Sequence, residues 1–304
     1  MVNTHNYKNL VWVDIESPKS EDIKEIVNTY GIDPSVAQDL LFPSANPTVE
    51  KYSNFVYAVF HFPAWRHTHR EKVQEIDFII GKEFLITVRY DTIDALHKFA
   101  KVFEVSEVLD KRKVEAVHAG TLFYFMMKEI YQALRDELAA AHDLLSDIED
   151  KMFHGRERDM VRELSKLSRE FLVFRQATEL QDDTLAAFRI AAIGFFGEGY
   201  EYEADLIQKE YSQVKHLADG YMASLDELRN TNDSLLSNKQ NEIMQALTVI
   251  IFITSALSIF IGLFTIDSSS RPIIGMPYDF WILVGIMVVL ALGFVWFFIK
   301  KEWL

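Results

Sequence analysis

Eight residues recur at steps of three and four in the last quarter of the chain, most of them small or polar in an otherwise apolar stretch. They are Asn241, Met244, Thr248, Ile251, Ser255, Ser258, Gly262 and Thr265. These steps place all eight on one face of an α-helix, which we call the stripe. The stripe can pack closely against another helix through its small members. Alternatively, it lines a water-filled ion pathway in which apolar rings at Met244 and Ile251 gate by dewetting.

The segment after the stripe carries an aspartate, three serines and an arginine in one turn. It reads GLFTIDSSSRPIIGMPYDFW, residues 262–281. The carboxylate of Asp267 can supply oxygen ligands to a cation at the mouth of such a pathway. It can equally end the helix in a solvated turn with Ser268, Ser269 and Ser270. The residues alone leave both hypotheses open.

Two uncharged runs flank this turn, at residues 246–266 and 280–299. Each matches the roughly 20 apolar residues that a helix needs to cross a bilayer. We therefore predict two transmembrane helices, joined by an external loop at 267–279. Lys300 and Lys301 in the tail 300–304 predict a cytoplasmic C-terminus. The N-terminus lacks a secretory signal layout, so we expect it in the cytoplasm too, with the protein in the cell membrane, inner or plasma.

The first part of the chain mixes two kinds of pattern. The stretches LVWVDI, VEKYSNFVYAVFHF, EIDFIIG and EFLITVRY predict strands, and residues 18–30 predict a helix opened by Ser17. Residues 1–115 therefore form a predicted α/β cytosolic domain. Residues 116–200 predict a helical hairpin region, and Gly194, Gly197 and Gly199 mark a loop at its end.

A long helix is predicted next, with a stalk at residues 201–245 that continues into the first membrane span. Its apolar positions again recur at steps of three and four, with Asn232 in one slot: Val214, Leu217, Tyr221, Leu225, Leu228 and Leu235. About 60 residues give roughly 90 Å of helix, which needs partners along its length. Two spans cannot enclose a pore alone, so the pore hypothesis requires a homo-oligomer.

Several function classes find no support in the 304 residues. The chain has no cysteine, which excludes disulfides and thiolate metal sites. It contains no GxxxxGK[ST] phosphate loop, no GxGxxG after a strand, and no GxSxG or HExxH. We therefore expect no enzyme activity, no cofactor and no nucleic-acid partner. The expected partners are lipid, divalent cations and further copies of the chain.

The last 70 or so residues resemble the CorA family of divalent-cation channels. The resemblance rests on SNKQNEIMQALTVI at 237–250, ALS at 256–258, Gly262, the pair Met276–Pro277 and FFIKKEWL at 297–304. It implies a homopentamer with an α/β cytosolic funnel domain, long stalk helices, an inner ring of first transmembrane helices and an outer ring of second ones. It also implies magnesium as the principal ion, with cobalt or nickel as others.

The chain departs from the family at its signature. The family has Gly-Met-Asn at the positions that hold Thr265, Ile266 and Asp267 here. By the resemblance, Asp267, Met276, Pro277 and Asp279 form the pore mouth, where the carboxylate of Asp267 takes the place of the family's asparagine amide. We expect stronger cation capture and slower release there. A zinc transporter, with or without proton coupling, and a non-conducting CorA-like sensor or scaffold stay open as alternatives.

Carboxylates in the cytosolic region give a second, regulatory hypothesis. The resemblance implies that cytosolic magnesium binds between subunits and holds the channel shut. The candidates are Asp143, Asp147, Glu203 and Asp205. The alternative is a solvated acidic helix face, because no spacing among these residues selects a metal site.

Overall fold

The computed structural model describes residues 2–7, 9–63, 73–93, 95–96, 99–100, 118–266, 273–274 and 278–301. The chain divides into two compact units, Met1–Arg229 and Asn230–Leu304. The first unit contains a mixed six-stranded sheet in the order β1-β2-β6-β5-β4-β3. Its strands are β1 Val2–Tyr7, β2 Leu10–Glu16, β3 Thr48–Lys51, β4 Val56–Pro63, β5 Val73–Ile80 and β6 Phe84–Arg89. Strands β2 and β6 pair in parallel, and the other neighbouring strands of this sheet pair antiparallel.

Each face of this sheet buries one set of alternating side chains. Helices α1 (Ser20–Tyr30) and α2 (Pro34–Asp39) cover one face, where Ile23, Ile26 and Val36 pack against Ile15, Val59 and Ile79. On the other face the ring of Phe123 lies 5.0 Å from that of Phe78 and 4.7 Å from that of Phe188. Because neighbouring residues of a strand point to opposite faces, the same strands supply side chains to the packed core on each face of the sheet.

Long helices complete the first unit. Helix α3 spans Ala119–Lys151 and α4 spans Glu157–Phe196. The π-helical turn Met152–Arg156 joins them, where Gly155 adopts a φ of 83°. Helix α5 then runs unbroken over Glu201–Thr265, through both the predicted stalk and the first predicted span. Helix α6 spans Asp279–Lys300 in the second unit.

The predicted strands are all present, but four local features differ from the sequence predictions. Strand β1 and helix α2 were not predicted, because β1 is a half-exposed polar edge strand and α2 is a short helix capped by Asp33. Helix α1 begins at Ser20, and Ser17 instead adopts a φ of 51° while its N–H donates to the Arg89 carbonyl. Gly194 is helical, and the chain turns only at Gly197, whose φ is 98°.

Helix α5 runs alongside α3 within the first unit. The hydroxyl of Tyr200, just before α5, donates to the carbonyl of Gly120 at 2.9 Å. Further along, Arg135 pairs with Glu210 at 2.7 Å and the His142 ring stacks on Tyr221. The last of these contacts, His142 with Tyr221, lies about twenty residues further along each helix than the first, Gly120 with Tyr200. Helices α3 and α5 are therefore parallel. The predicted apolar positions Val214 and Leu225 are fully buried.

Candidate functional site

The stripe lies in the second unit, along the length of α5 that packs against α6 through a different face. The Phe252 ring of α5 meets the rings of Phe294 and Phe298 on α6, at 5.5 and 5.6 Å. Val249 is only 1% exposed, and Ile253, Ala256 and Phe260 are half-buried. Both helices are long and apolar enough to cross a membrane.

All eight stripe residues are exposed, on the side of α5 that turns away from α6. Met244 and Ile251 are 53% and 54% exposed, and the six others are exposed as well. At roughly 100° per residue, the middle of the stripe lies about 140° around the helix from Val249. Packing against α6 therefore does not account for the small residues. The stripe is available to something outside the single chain.

Apolar side chains border the stripe on both sides. Ile250 and Ile261 lie on one border, and Ile259 and Leu263 lie on the other. All four are exposed in the single chain. The membrane part of α5 thus has the stripe, an apolar flank on either side of it and the face toward α6, and Phe252 lies where the flank of Ile259 and Leu263 meets that face. A helix in a ring needs these sectors, because two neighbours cover its flanks while one side faces the axis.

Three hydroxyl groups of the stripe donate their hydrogens to the helix backbone. Thr248 Oγ1 donates to the Met244 carbonyl at 2.7 Å, and Ser258 Oγ donates to the Thr254 carbonyl at 2.8 Å. Thr265 Oγ1 donates to the Gly262 carbonyl at 2.8 Å. A hydroxyl that has donated its hydrogen keeps acceptor lone pairs. These oxygens can accept hydrogen bonds from the water shell of a cation.

The predicted pore mouth is described only in part. Asp267, Met276 and Pro277 lie outside the described residues. Asp279 begins α6, and its Oδ1 accepts a hydrogen bond from the N–H of Phe280 at 2.7 Å. Tyr278, which precedes it, adopts a left-handed φ of 72°.

The four regulatory candidates lie on α3 and α5. Asp143 and Asp147 are exposed on α3, where Asp147 pairs with Lys151 one turn later. On α5, Glu203 is half-buried, and exposed Asp205 accepts a hydrogen bond from Arg189 Nε at 3.0 Å. Across the part of the chain that the structure describes, no three His, Asp or Glu side chains are grouped as a metal site would require. A single chain therefore does not assemble these carboxylates around one ion.

The structure also contains a polar cluster that the sequence analysis did not predict. His61 on β4 and Glu75 and Asp77 on β5 point to the same face of the sheet and are largely buried. The sequence signal was available in EIDF, where alternation places two carboxyl groups on one face of a strand that is otherwise apolar. The position of His61 beside them depends on strand register, which the sequence did not reveal.

Comparison with known proteins gives one family and several relatives. The sequence model of the family described as "CorA-like Mg2+ transporter protein" matches residues 7–301. The cobalt/magnesium transport protein CorA of Methanocaldococcus jannaschii is 23% identical over 295 residues, covering 97% of this chain and 92% of the relative. That of Thermotoga maritima is 22% identical over 306 residues, covering 96% and 83%.

A solved structure shares the fold along nearly the whole chain. It is the complete structure of the CorA magnesium transporter from Methanocaldococcus jannaschii, with a TM-score of 0.81 at 21% sequence identity. The match covers 99% of this chain and 94% of that one. The predicted arrangement of an α/β domain, long helices and two C-terminal apolar helices is thereby confirmed.

Proposed function

The chain belongs to the family of CorA-like Mg2+ transporter proteins, and from this membership we propose that it is a membrane channel for divalent cations, magnesium first among them. Five copies of the chain surround one pore, and cobalt and nickel are further permeant ions. The observation that carries the proposal is that the stripe is exposed on the side of α5 that turns away from α6. The number of copies is that of the family.

In this pore the α5 helices form the inner ring and the α6 helices form the outer ring. The two apolar flanks of each α5 contact neighbouring copies, and the stripe faces water. Met244 and Ile251 provide the apolar rings that close the pore by dewetting. Thr248, Ser258 and Thr265 provide acceptor oxygens to the ion's water shell, which magnesium gives up reluctantly.

The membrane potential drives the ion inward. About 2.3 kcal/mol per charge per 100 mV gives a divalent ion roughly 4.6 kcal/mol, more than a thousandfold in equilibrium ratio. Both termini lie in the cytoplasm. The Lys300 ammonium lies 5.2 Å from the centre of the Trp296 ring, a pairing suited to the membrane–water interface and one that supports a cytoplasmic end for α6. Asp143, Asp147, Glu203 and Asp205 are candidates for regulatory magnesium between copies.

Purified protein in liposomes tests the proposal. An inside-negative potential is expected to drive magnesium inward, and hexa-coordinate cobalt complexes that mimic hydrated magnesium are expected to block it. Flux that needs a pH gradient and persists at low magnesium would instead indicate a zinc transporter. If magnesium, zinc, cobalt and nickel all fail to move, the chain is a sensor or scaffold.

Asp267→Asn is expected to weaken apparent magnesium affinity by about tenfold or to change ion selectivity, with the oligomer intact. A unit charge pair at 4 Å contributes about 1 kcal/mol even in bulk water, and each tenfold in affinity needs only about 1.4 kcal/mol. The change removes up to five carboxylates around one pore mouth, and the attraction lost with them exceeds the 1.4 kcal/mol that a tenfold loss of affinity requires. Concentration-dependent influx of each ion provides the measurement.

The matched control for this change is Asp226→Asn, which removes an exposed carboxylate elsewhere on α5. It is expected to leave affinity and selectivity as they are. If Asp267→Asn behaves like this control for every ion tested, Asp267 is a turn residue and not part of the pore mouth.

A further inference from the structure

The buried cluster of His61, Glu75 and Asp77 lies at one end of the sheet. In the antiparallel register of β4 and β5, His61 lies opposite Glu75 and Val59 lies opposite Asp77. All three polar side chains therefore share the face that α1 and α2 cover. Glu75 is 8% exposed and Asp77 is 1% exposed. The cluster places two carboxyl groups and an imidazole where ions are poorly solvated.

Hydrogen bonds determine which atom of His61 exchanges a proton. Its Nε2 lies 3.1 Å from the Ser44 carbonyl and 3.1 Å from Glu75 Oε2. Both of those atoms are acceptors, so Nε2 carries a hydrogen in either charge state. The other oxygen of Glu75 accepts from the Ser44 N–H at 2.9 Å. The proton that comes and goes is therefore on Nδ1, which is buried without a hydrogen-bond partner among the described residues.

Asp77 is a second titratable group of the cluster. Its Oδ2 accepts hydrogen bonds from the hydroxyls of Tyr57 and Tyr90, each at 3.2 Å, while Oδ1 is buried and has no partner in the described part of the chain. Burial and the neighbouring charge of Glu75 raise the pKa of Asp77 well above its usual value. Burial lowers the pKa of His61, but the bonds to Glu75 and Ser44 and the charge of Glu75 outweigh it, so this pKa is raised. Both groups therefore retain protons more strongly than in an unfolded chain.

Within the described residues, the elements around His61 present no further positively charged group to the carboxyl groups of Glu75 and Asp77. Strand β5 presents Glu75 and then Asp77, and the segment after β6 presents Tyr90 and Asp91. The loop before β3 presents Ser44, and α4 presents two neutral amides, those of Gln176 and Gln181. A cavity of about 960 Å³ next to the cluster, lined by residues that include Ser44, His61, Glu75 and Tyr90, gives water a route for proton exchange.

The backbone of His61 connects this cluster to α5. Gln181 Nε2 of α4 donates to the His61 carbonyl at 2.6 Å, and Gln181 Oε1 accepts from the Tyr131 hydroxyl of α3 at 2.8 Å. The Tyr131 ring contacts the Tyr211 ring of α5 at 6.2 Å, and the Tyr211 hydroxyl donates to the Thr178 carbonyl of α4. These contacts connect the backbone of His61 to helices α3, α4 and α5.

We propose that His61, Glu75 and Asp77 form a proton-binding centre that reports cytoplasmic pH to the ion pathway through α4 and α5. The proposal rests on the proposed transport function. When the cytoplasm becomes alkaline, the centre loses a proton and gains net negative charge in a buried place. The loop at Ser44 and the Gln181 contact then rearrange, because the charge must reach water or a new partner.

The first test measures magnesium influx into liposomes at fixed potential while pH on the side of the N-terminal domain is varied from about 6 to 9. Wild-type flux is expected to change by about fivefold or more across this range, the lower end of typical coupling between two sites. His61→Gln, which keeps a donor for Glu75, is expected to flatten the profile. Glu75→Gln is expected to move its midpoint to lower pH, and Asp77→Asn, which removes a titratable group of the centre, is expected to make the profile less steep.

A second measurement does not depend on transport. The pKa of His61 is raised on folding, so its stabilising contribution is complete below the unfolded value of about 6.5 and is lost as pH rises through the folded value. The thermal unfolding midpoint of the full chain is expected to fall over that window, and less so in His61→Gln. His216→Gln removes an exposed histidine of α5 and serves as the control in both measurements.

Each outcome separates the two proposals. If His61→Gln and wild type share one pH profile of flux, the proton-binding centre does not report to the pathway and the proposal is overturned. A wild-type chain that moves no ion at any pH, yet keeps the His61-dependent change in its unfolding midpoint, would contradict the transport function. The centre would then bind protons but would have no ion pathway to regulate, which also overturns its proposed role.

Discussion

Gly262→Leu is expected to reduce divalent-cation flux by at least about tenfold, which corresponds to about 1.4 kcal/mol in the barrier to conduction. A Cβ at Gly262 would meet no atom of the described residues within 4 Å, so the single chain accommodates a side chain there. In the proposed pore the same position faces the axis, where five leucine side chains would narrow and dry the lumen. Influx into liposomes, with the oligomer confirmed by its size, provides the measurement.

The chain offers a closely matched control for this change. Gly293 lies in the middle of the apolar helix α6, and a Cβ there would likewise have no neighbour within 4 Å in the part of the chain that the structure describes. Gly293→Leu adds the same side chain to the outer helix, away from the proposed axis. Flux near the wild-type level is expected. Equal loss in both variants would point to helix packing as the role of Gly262.

Arg89→Met is expected to destabilise the N-terminal unit by about 3–5 kcal/mol, a large part of the roughly 5–15 kcal/mol typical of folded domains. The guanidinium of Arg89 contacts Asp14 at 3.0 Å and Glu16 at 3.2 Å, with Arg89 and Asp14 both buried. Asp14 also accepts a hydrogen bond from Thr87. Without the arginine, Asp14 is a buried charge that has lost its cation. Chemical unfolding of the full chain measures the loss.

Two further variants test whether the unpaired buried charge causes the loss of stability in Arg89→Met. Asp14→Leu combined with Arg89→Met removes both charges, and most of the lost stability is expected to return. Arg156→Met breaks an exposed pair with Asp159, at 3.4 Å, and is expected to cost less than about 1 kcal/mol. If Arg89→Met and Arg156→Met have similar effects, the buried pair contributes no more than a surface one.

Local patterns in the sequence were sufficient to predict most of the fold. Runs rich in β-branched and aromatic residues identified β2, β4, β5 and β6, and the absence of proline from residues 201–265 predicted the unbroken helix α5. Local patterns did not predict the structure where they were weak. Strand β1 is polar and half-exposed, so its place in the sheet depends on pairing with β2 rather than on burial. Gly194 is of a residue type that favours turns, but it lies within helix α4.

The candidate site was likewise predicted from the sequence only in part. The spacing of three and four residues was enough to predict which side chains share the stripe. It could not predict where α6 packs, because the periodicity of one helix does not indicate which face its neighbour covers. The pairs His61–Glu75 and Asp14–Arg89 join residues far apart in the chain, and only the strand register brings them together.

Thiol accessibility at Ser255 and Ser258 tests the central claim, that the stripe faces water inside an oligomer. The chain has no cysteine, so Ser255→Cys and Ser258→Cys each introduce a single thiol. A charged, membrane-impermeant thiol reagent is expected to modify both and to stop flux. Val289→Cys, exposed on α6, is expected to resist the reagent in lipid. If both stripe thiols resist it as Val289→Cys does and react only with lipid-soluble reagents, the stripe does not line a water-filled pathway.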